Sequence, residues 1–145
     1  MNSIDDNNLA NIRQDADLSQ REVAEILKVS KTTYGRWEVN DRMIPLKHLK
    51  NFSDYFEVSY DYIFNLSRKN CYSKFPINKK KIGERLKQLR KDKGLTQEKL
   101  ANKLNTTHST ISAYENGKTL ILTVFAYQIA KEYKVSMDYL CGRDK

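Results

Sequence analysis

The stretch LSQREVAEILKVSKTTYGRWE, Leu18–Glu38, contains two short helical patterns separated by a break. In the first, Val23, Ile26 and Leu27, with Ala24, fall on one face at helical spacing. Ser19 precedes it and Glu22 stands three residues on. That is the arrangement of a capping box, in which side chain and backbone satisfy each other's free groups at a helix start. Lys28-Val29-Ser30 reads as a three-residue turn, with Ser30 capping the next helix. In that helix Tyr34, Trp37 and Glu38 share one side at i, i+3 and i+4, while Lys31, Thr32 and Arg36 face solvent. The local prediction is helix, short turn, helix.

The pattern recurs without a gap as LTQEKLANKLNTTHSTISAYENGKT, Leu95–Thr119, displaced by 77 residues. The shift holds from Leu9/Leu86 to Asn65/Gly142, with identities at Arg13/Arg90, Leu18/Leu95, Gln20/Gln97, Ala24/Ala101 and Tyr62/Tyr139. An ungapped match of this length marks a duplicated structural unit. Thr33/Thr110 and Glu38/Glu115 are held, and an aromatic is kept at Trp37/Tyr114. On the outer side Lys31, Thr32 and Arg36 are replaced by His108, Ser109 and Ala113. A conserved shape inside and a variable chemistry outside fit a helix that reads something.

Each repeat reads as five short helices. In the first they run from about Asn8 to Asp15, over the two segments above, from Pro45 to about Phe56, and from Ser59 to about Asn65. Asp17 and Gly94 suit the left-handed turn after the opening helix, and Pro45 suits a first turn. Thr96 caps the second helix of repeat 2, but Lys99 leaves its box incomplete. The expected organisation is all-α: a domain over residues 1–65, a basic linker over 66–81, and a second domain over 82–145.

Charge is uneven along the chain. The net is +8; repeat 1 is −3, the joint LSRKNCYSKFPINKKK is +6, and repeat 2 is +5. Such a balance points to a polyanion, nucleic acid first. The joint either follows a phosphate backbone or is a solvated linker, and about 15 residues could extend to roughly 50 Å. Tyr72, Phe75, Pro76 and Ile77 suggest that it packs in part.

Other classes find little support. No apolar run approaches the roughly 20 residues of a membrane span, and the acidic start MNSIDDNNLA is unlike an export signal. Cys71 and Cys141 are far apart and form no C-x-x-C pair, so the expectation is a reduced cytoplasm with no disulfide or zinc framework. No nucleophile pattern or Gly-rich phosphate loop accompanies His48 or His108. A catalytic role, a cofactor and a metal are therefore not expected. His48 reads as a plain helix-surface residue, and His108 either as a donor to a base or phosphate or as an ordinary surface residue.

With VSYDYI (Val58–Ile63) and VSMDYL (Val135–Leu140), the two segments resemble the Cro/lambda-repressor type of five-helix domain, the XRE-type helix-turn-helix regulators. The resemblance covers nearly the whole chain, once per repeat. It implies two tandem lambda-repressor-like domains binding double-stranded DNA, each with a recognition helix in the major groove. Gln20 and Gln97 would contact phosphate beside free helix amides. Lys31, Thr32 and Arg36 match base-edge readers, as do His108, Ser109 and Ala113. Thr33 and Thr110 are expected to bind DNA with them, Thr32 and Thr33 through a thymine methyl or a phosphate, and Asn116 and Lys118 belong to a phosphate contact at the helix end. Arg13 with Glu38, and Arg90 with Glu115, match an internal ion pair whose disruption would cost ~3 kcal/mol. Asn40 replaces the usual Gly in repeat 1, and Val39 cannot make the phosphate contact. Tyr55 and Tyr60 are candidates for an inter-repeat or homodimer interface.

The function this implies is a sequence-specific transcriptional repressor with two unlike half-sites. The alternative is an antitoxin or phage-type regulatory adaptor in which one repeat binds a protein partner or mediates dimerisation. A sequence-blind compacting protein would need base spread over both repeats, and repeat 1 lacks it.

Overall fold

The computed structural model describes residues 6–143. The outermost residues of the two predicted domains, 1–5 and 144–145, lie outside the described residues, as does half of the acidic N-terminal stretch. Among the described residues every regular element is a helix. The chain divides into two compact units, meeting between residues 74 and 75.

The first unit contains α1 (Leu9–Asp15), α2 (Gln20–Leu27), α3 (Lys31–Glu38), α4 (Leu46–Phe56) and α5 (Tyr60–Ile63). The second contains α6 (Lys79–Asp92), α7 (Gln97–Lys103), α8 (His108–Glu115), α9 (Thr123–Tyr133) and α10 (Met137–Leu140). Three helices recur at the 77-residue shift with identical bounds: α3 as α8, α4 as α9, and α5 as α10. Their starts follow from the caps. Ser59 and Ser136 accept from the backbone N–H three residues on, so α5 begins one residue later than read from sequence and α10 starts at the matching position. Pro45 likewise precedes α4 in extended conformation and does not open its first turn.

Each unit buries most of the apolar face its pattern predicted, Ile26 being only half-buried. Leu9, Ile12, Val23, Ala24, Leu27, Tyr34, Trp37 and Leu49 are buried in the first; Leu86, Leu100, Ala101, Ile111 and Tyr114 are buried in the second. α2 packs on α3, and α7 on α8. Between them the chain turns at a left-handed residue, Lys28 (φ 59°) in one repeat and Asn105 (φ 55°) in the other.

The joint is not a separate 16-residue tether. Asn70 accepts from the Ser59 N–H at 2.8 Å and donates to the Glu57 carbonyl at 2.9 Å, and the Tyr72 hydroxyl donates to Asp54 at 3.0 Å. Its first half is thus folded onto the first unit. Asn78 caps α6, accepting from the Lys81 N–H at 3.0 Å, and Lys79, Lys80 and Lys81 form the first turn of that helix. α6 therefore runs two turns further toward the N-terminus than α1 does.

Gly83, in that added length, has no room for a side chain. A Cβ there would lie 2.3 Å from the Tyr114 carbonyl oxygen and 2.7 Å from that of Glu115. The close crossing fixes α6 against the last turn of α8.

Candidate nucleic-acid interface

Both helix-turn-helix segments rest on the same buried polar cluster. Arg13 donates through Nε to Glu38 Oε2 at 2.7 Å and through Nη2 to Oε1 at 3.1 Å, while Nη1 bonds the Leu18 carbonyl at 2.9 Å. Gln20 Nε2 adds a bond to Glu38 Oε1 at 2.9 Å. In the second unit Arg90, Glu115, Leu95 and Gln97 repeat these bonds within 0.1 Å. The ion-paired side chains are nearly closed to water, 12% and 4% exposed for Arg13 and Glu38, 11% and 1% for Arg90 and Glu115. The carboxylate hydrogen bond raises each guanidinium above its ordinary value. Burial pushes the Glu38 carboxyl up, but the bonds from Arg13 and Gln20 outweigh it and hold the group below the usual carboxylate range. The arrangement ties the first helix of each unit, the start of the second and the end of the third into one rigid corner.

Gln20 and Gln97 therefore spend one amide N–H on a carboxylate. The amide's other N–H remains the donor with which either could reach a phosphate.

Hydroxyl caps start the two outer helices. Ser30 accepts from the Thr33 N–H at 3.0 Å and Thr107 from the Thr110 N–H at 3.2 Å. The Thr33 and Thr110 hydroxyls lie 2.9 Å from the same cap oxygens. The held threonines are thus drawn into the cap, which gives a structural reason for their identity in both repeats.

The swapped residues stand outside. Lys31, Thr32 and Arg36 are exposed on α3, as are His108 and Ser109 on α8; Ala113 is half-buried. Beneath them Tyr34, Trp37, Ile111 and Tyr114 are buried. The ends of the helices turn alike. The Asp41 N–H bonds the Arg36 carbonyl at 3.0 Å, and the Lys118 N–H bonds the Ala113 carbonyl at 2.9 Å. The reversal passes through Asn40 (φ 61°) and Gly117 (φ 71°), so the Asn of repeat 1 does adopt the left-handed conformation its position demands. Asn116 and Lys118 are exposed at the end of α8, whereas at the end of α3 Val39 is 72% exposed.

Two expectations from sequence need amendment. Tyr60 is 1% exposed, so of the two interface candidates only Tyr55, 55% exposed, offers a ring to a partner outside the chain. His48 is not a plain surface residue: its ring packs on Trp37 with centroids 5.3 Å apart, and its buried Nδ1 has no hydrogen-bond partner. Burial, then the charge of Lys47, lowers its pKa. Gly83 and Asp41 were not singled out from sequence. A glycine inside a helical pattern is a weak signal for the first; the acid facing Lys118 in the repeat register is a signal for the second.

Residues 9–63 match the family described as Helix-turn-helix, and residues 83–141 match one described as Helix-turn-helix domain. The two matches fall on the two units. Each unit is thus a helix-turn-helix domain. The tandem chain is similar to the HTH-type transcriptional regulator ImmR of Bacillus subtilis (strain 168), 38% identical over 64 residues. That match covers 44% of this chain, which spans half the length of the relative. Among solved structures it is similar to the restriction-modification controller protein C.AhdI from Aeromonas hydrophila, at 30% identity. There the match covers 43% of this chain and 91% of the other, with a TM-score of 0.40.

Proposed function

We propose that this tandem helix-turn-helix chain binds double-stranded DNA sequence-specifically and acts as a transcriptional repressor, placing α3 and α8 in the major groove. The observation that carries the reading is the contrast between the two helices. Their buried corner is the same to within 0.1 Å in bond length, yet on their outer faces Lys31 is replaced by His108 and Arg36 by Ala113, and only a hydroxyl is kept at Thr32/Ser109. Packing explains the first and not the second; base reading explains both. The name of the Bacillus relative, a transcriptional regulator, supports the same class.

On this reading Lys31, Thr32 and Arg36 meet one half-site and His108, Ser109 and Ala113 a different one. Asn116 and Lys118 hold phosphate beside α8. In vitro selection from random duplex DNA with the full chain tests it. Two unlike motifs at fixed spacing are the expected result. No enrichment at near-physiological salt would refute sequence-specific binding.

A second reading has its own observation. In the first unit Ile26, Leu27, His48, Asn51 and the exposed Tyr55 line a cleft between α2 and α4, and that repeat is net negative. A protein partner held there would make repeat 1 an adaptor. Selection would then return one motif, attributable to repeat 2.

A further inference from the structure

Resting on the DNA-reading proposal, we infer that Asp41 is a positioning residue that makes Arg36 selective for guanine at the cost of affinity for the phosphate backbone. The Asp41 carboxylate lies 3.6 Å from Arg36 Nε. Contact through Nε matters because a guanidinium has two usable edges. At 3.6 Å the contact is an ion pair and not a hydrogen bond; it draws the Nε edge toward the carboxylate and leaves the terminal Nη groups, whose paired N–H bonds match guanine O6 and N7, free to face outward. Both side chains are well exposed, 52% and 62%, so the pair serves no packing purpose. An isolated surface pair of this kind contributes little to stability.

The backbone places the carboxylate deliberately close. Asn40 turns left-handed, and the N–H groups of Asp41 and Arg42 both bond the carbonyl of Arg36 itself, at 3.0 and 3.4 Å. The main chain thus holds the Asp41 backbone beside Arg36, within reach of the 3.6 Å ion pair between the side chains. The second unit builds the same turn, with Lys118 and Thr119 bonding the Ala113 carbonyl at 2.9 and 3.4 Å. There the reader is an alanine and the acid is a lysine. Where no guanidinium needs orienting, the position carries a charge that attracts phosphate; where one does, it carries a charge that phosphate repels. Held loosely, an arginine contacts any nearby phosphate; held by Asp41, it is directed to a base edge. The two repeats therefore divide the work, α3 discriminating and α8 with its Lys118 supplying attraction.

The test is parallel selection from one random duplex library with the full-length wild type, Arg36→Ala, Asp41→Asn and Lys118→Asp. The wild type is expected to enrich a guanine that Arg36→Ala loses. Asp41→Asn is expected to lower that guanine preference by up to about fivefold, the ceiling of an exposed ion pair, while binding to non-cognate duplex tightens. Lys118→Asp is expected to weaken binding to every duplex and to leave the guanine in place. If Asp41→Asn keeps the full preference, or if Arg36→Ala loses no guanine, the positioning role is wrong even though the chain reads DNA. If the wild type enriches nothing, the DNA-reading proposal itself fails.

Discussion

Glu38 accepts hydrogen bonds from Arg13 and Gln20 while only 4% of its side chain meets water. Cutting it to alanine leaves a guanidinium buried without its counter-charge, which costs on the order of 3–5 kcal/mol. Glu38→Ala should therefore lower the urea midpoint sharply, and the double variant Arg13→Leu/Glu38→Leu should recover much of the loss. The same carboxylate gives an acid sensitivity of known sign. Its folded pKa lies below the ordinary value, so its stabilisation is in full force above about pH 4.3 and is lost as pH falls through the folded value. Denaturation midpoints of wild type and Glu38→Gln should differ at pH 7 and converge as pH falls through the folded value. A constant gap would mean that the carboxylate is not what stabilises the corner. This pair was legible before the fold was known, through the family resemblance at Arg13 and Glu38. The packing of His48 on Trp37 was not, because residues 11 apart on different helices share no periodicity that could betray it.

The helices show which parts of a pattern survive folding. α2 and α3 follow directly from Ser19, Glu22 and Ser30, since a cap and its partners are neighbours in sequence. α6 does not follow from its α1 counterpart. Its two extra turns arise from Asn78, which caps the lysine run, and from Gly83, which lets the helix cross the α8 backbone. That crossing makes a prediction against propensity. Glycine to alanine in a helix interior is ordinarily worth about 0.5–1 kcal/mol in favour of alanine. At Gly83 the new Cβ would meet two carbonyl oxygens of α8 at 2.3 and 2.7 Å, backbone atoms that can yield only if the helices part. Overpacking of this kind costs about 1–3 kcal/mol, and Glu115, a member of the buried corner, sits in the displaced turn. Gly83→Ala should come out destabilised in urea unfolding. A neutral or more stable variant would show that α6 and α8 cross at a greater distance than described.

For the whole molecule, charge and architecture meet at the start of α6. Residues 1–65 are net −3, and everything that follows is net +11. Lys79, Lys80 and Lys81 occupy a first helical turn that holds no acid. Cations at a helix N-terminus oppose the macrodipole, at about 0.3–1 kcal/mol each, so these lysines weaken the helix they begin. A charge kept at a cost to the fold asks for a compensating partner, and phosphate is the partner that the basic half of the chain would attract. Lys79 and Lys80 are exposed, whereas Lys81 is half-buried with its ammonium 5.3 Å from the centre of the Phe75 ring. The informative variant is therefore Lys79→Gln/Lys80→Gln, which removes the two solvated charges and spares the packed one. Its melting temperature should hold or rise, because the dipole conflict is relieved. Its affinity should fall equally for cognate and non-cognate duplexes, since phosphate contacts carry no sequence information. For every phosphate that a lysine no longer neutralises, the plot of log affinity against log salt should flatten by about 0.9, measured by fluorescence anisotropy between roughly 50 and 200 mM salt. A lower melting temperature with an unchanged salt slope would assign the two lysines to the fold and leave Lys118, Asn116 and the amides of α7 to hold the backbone.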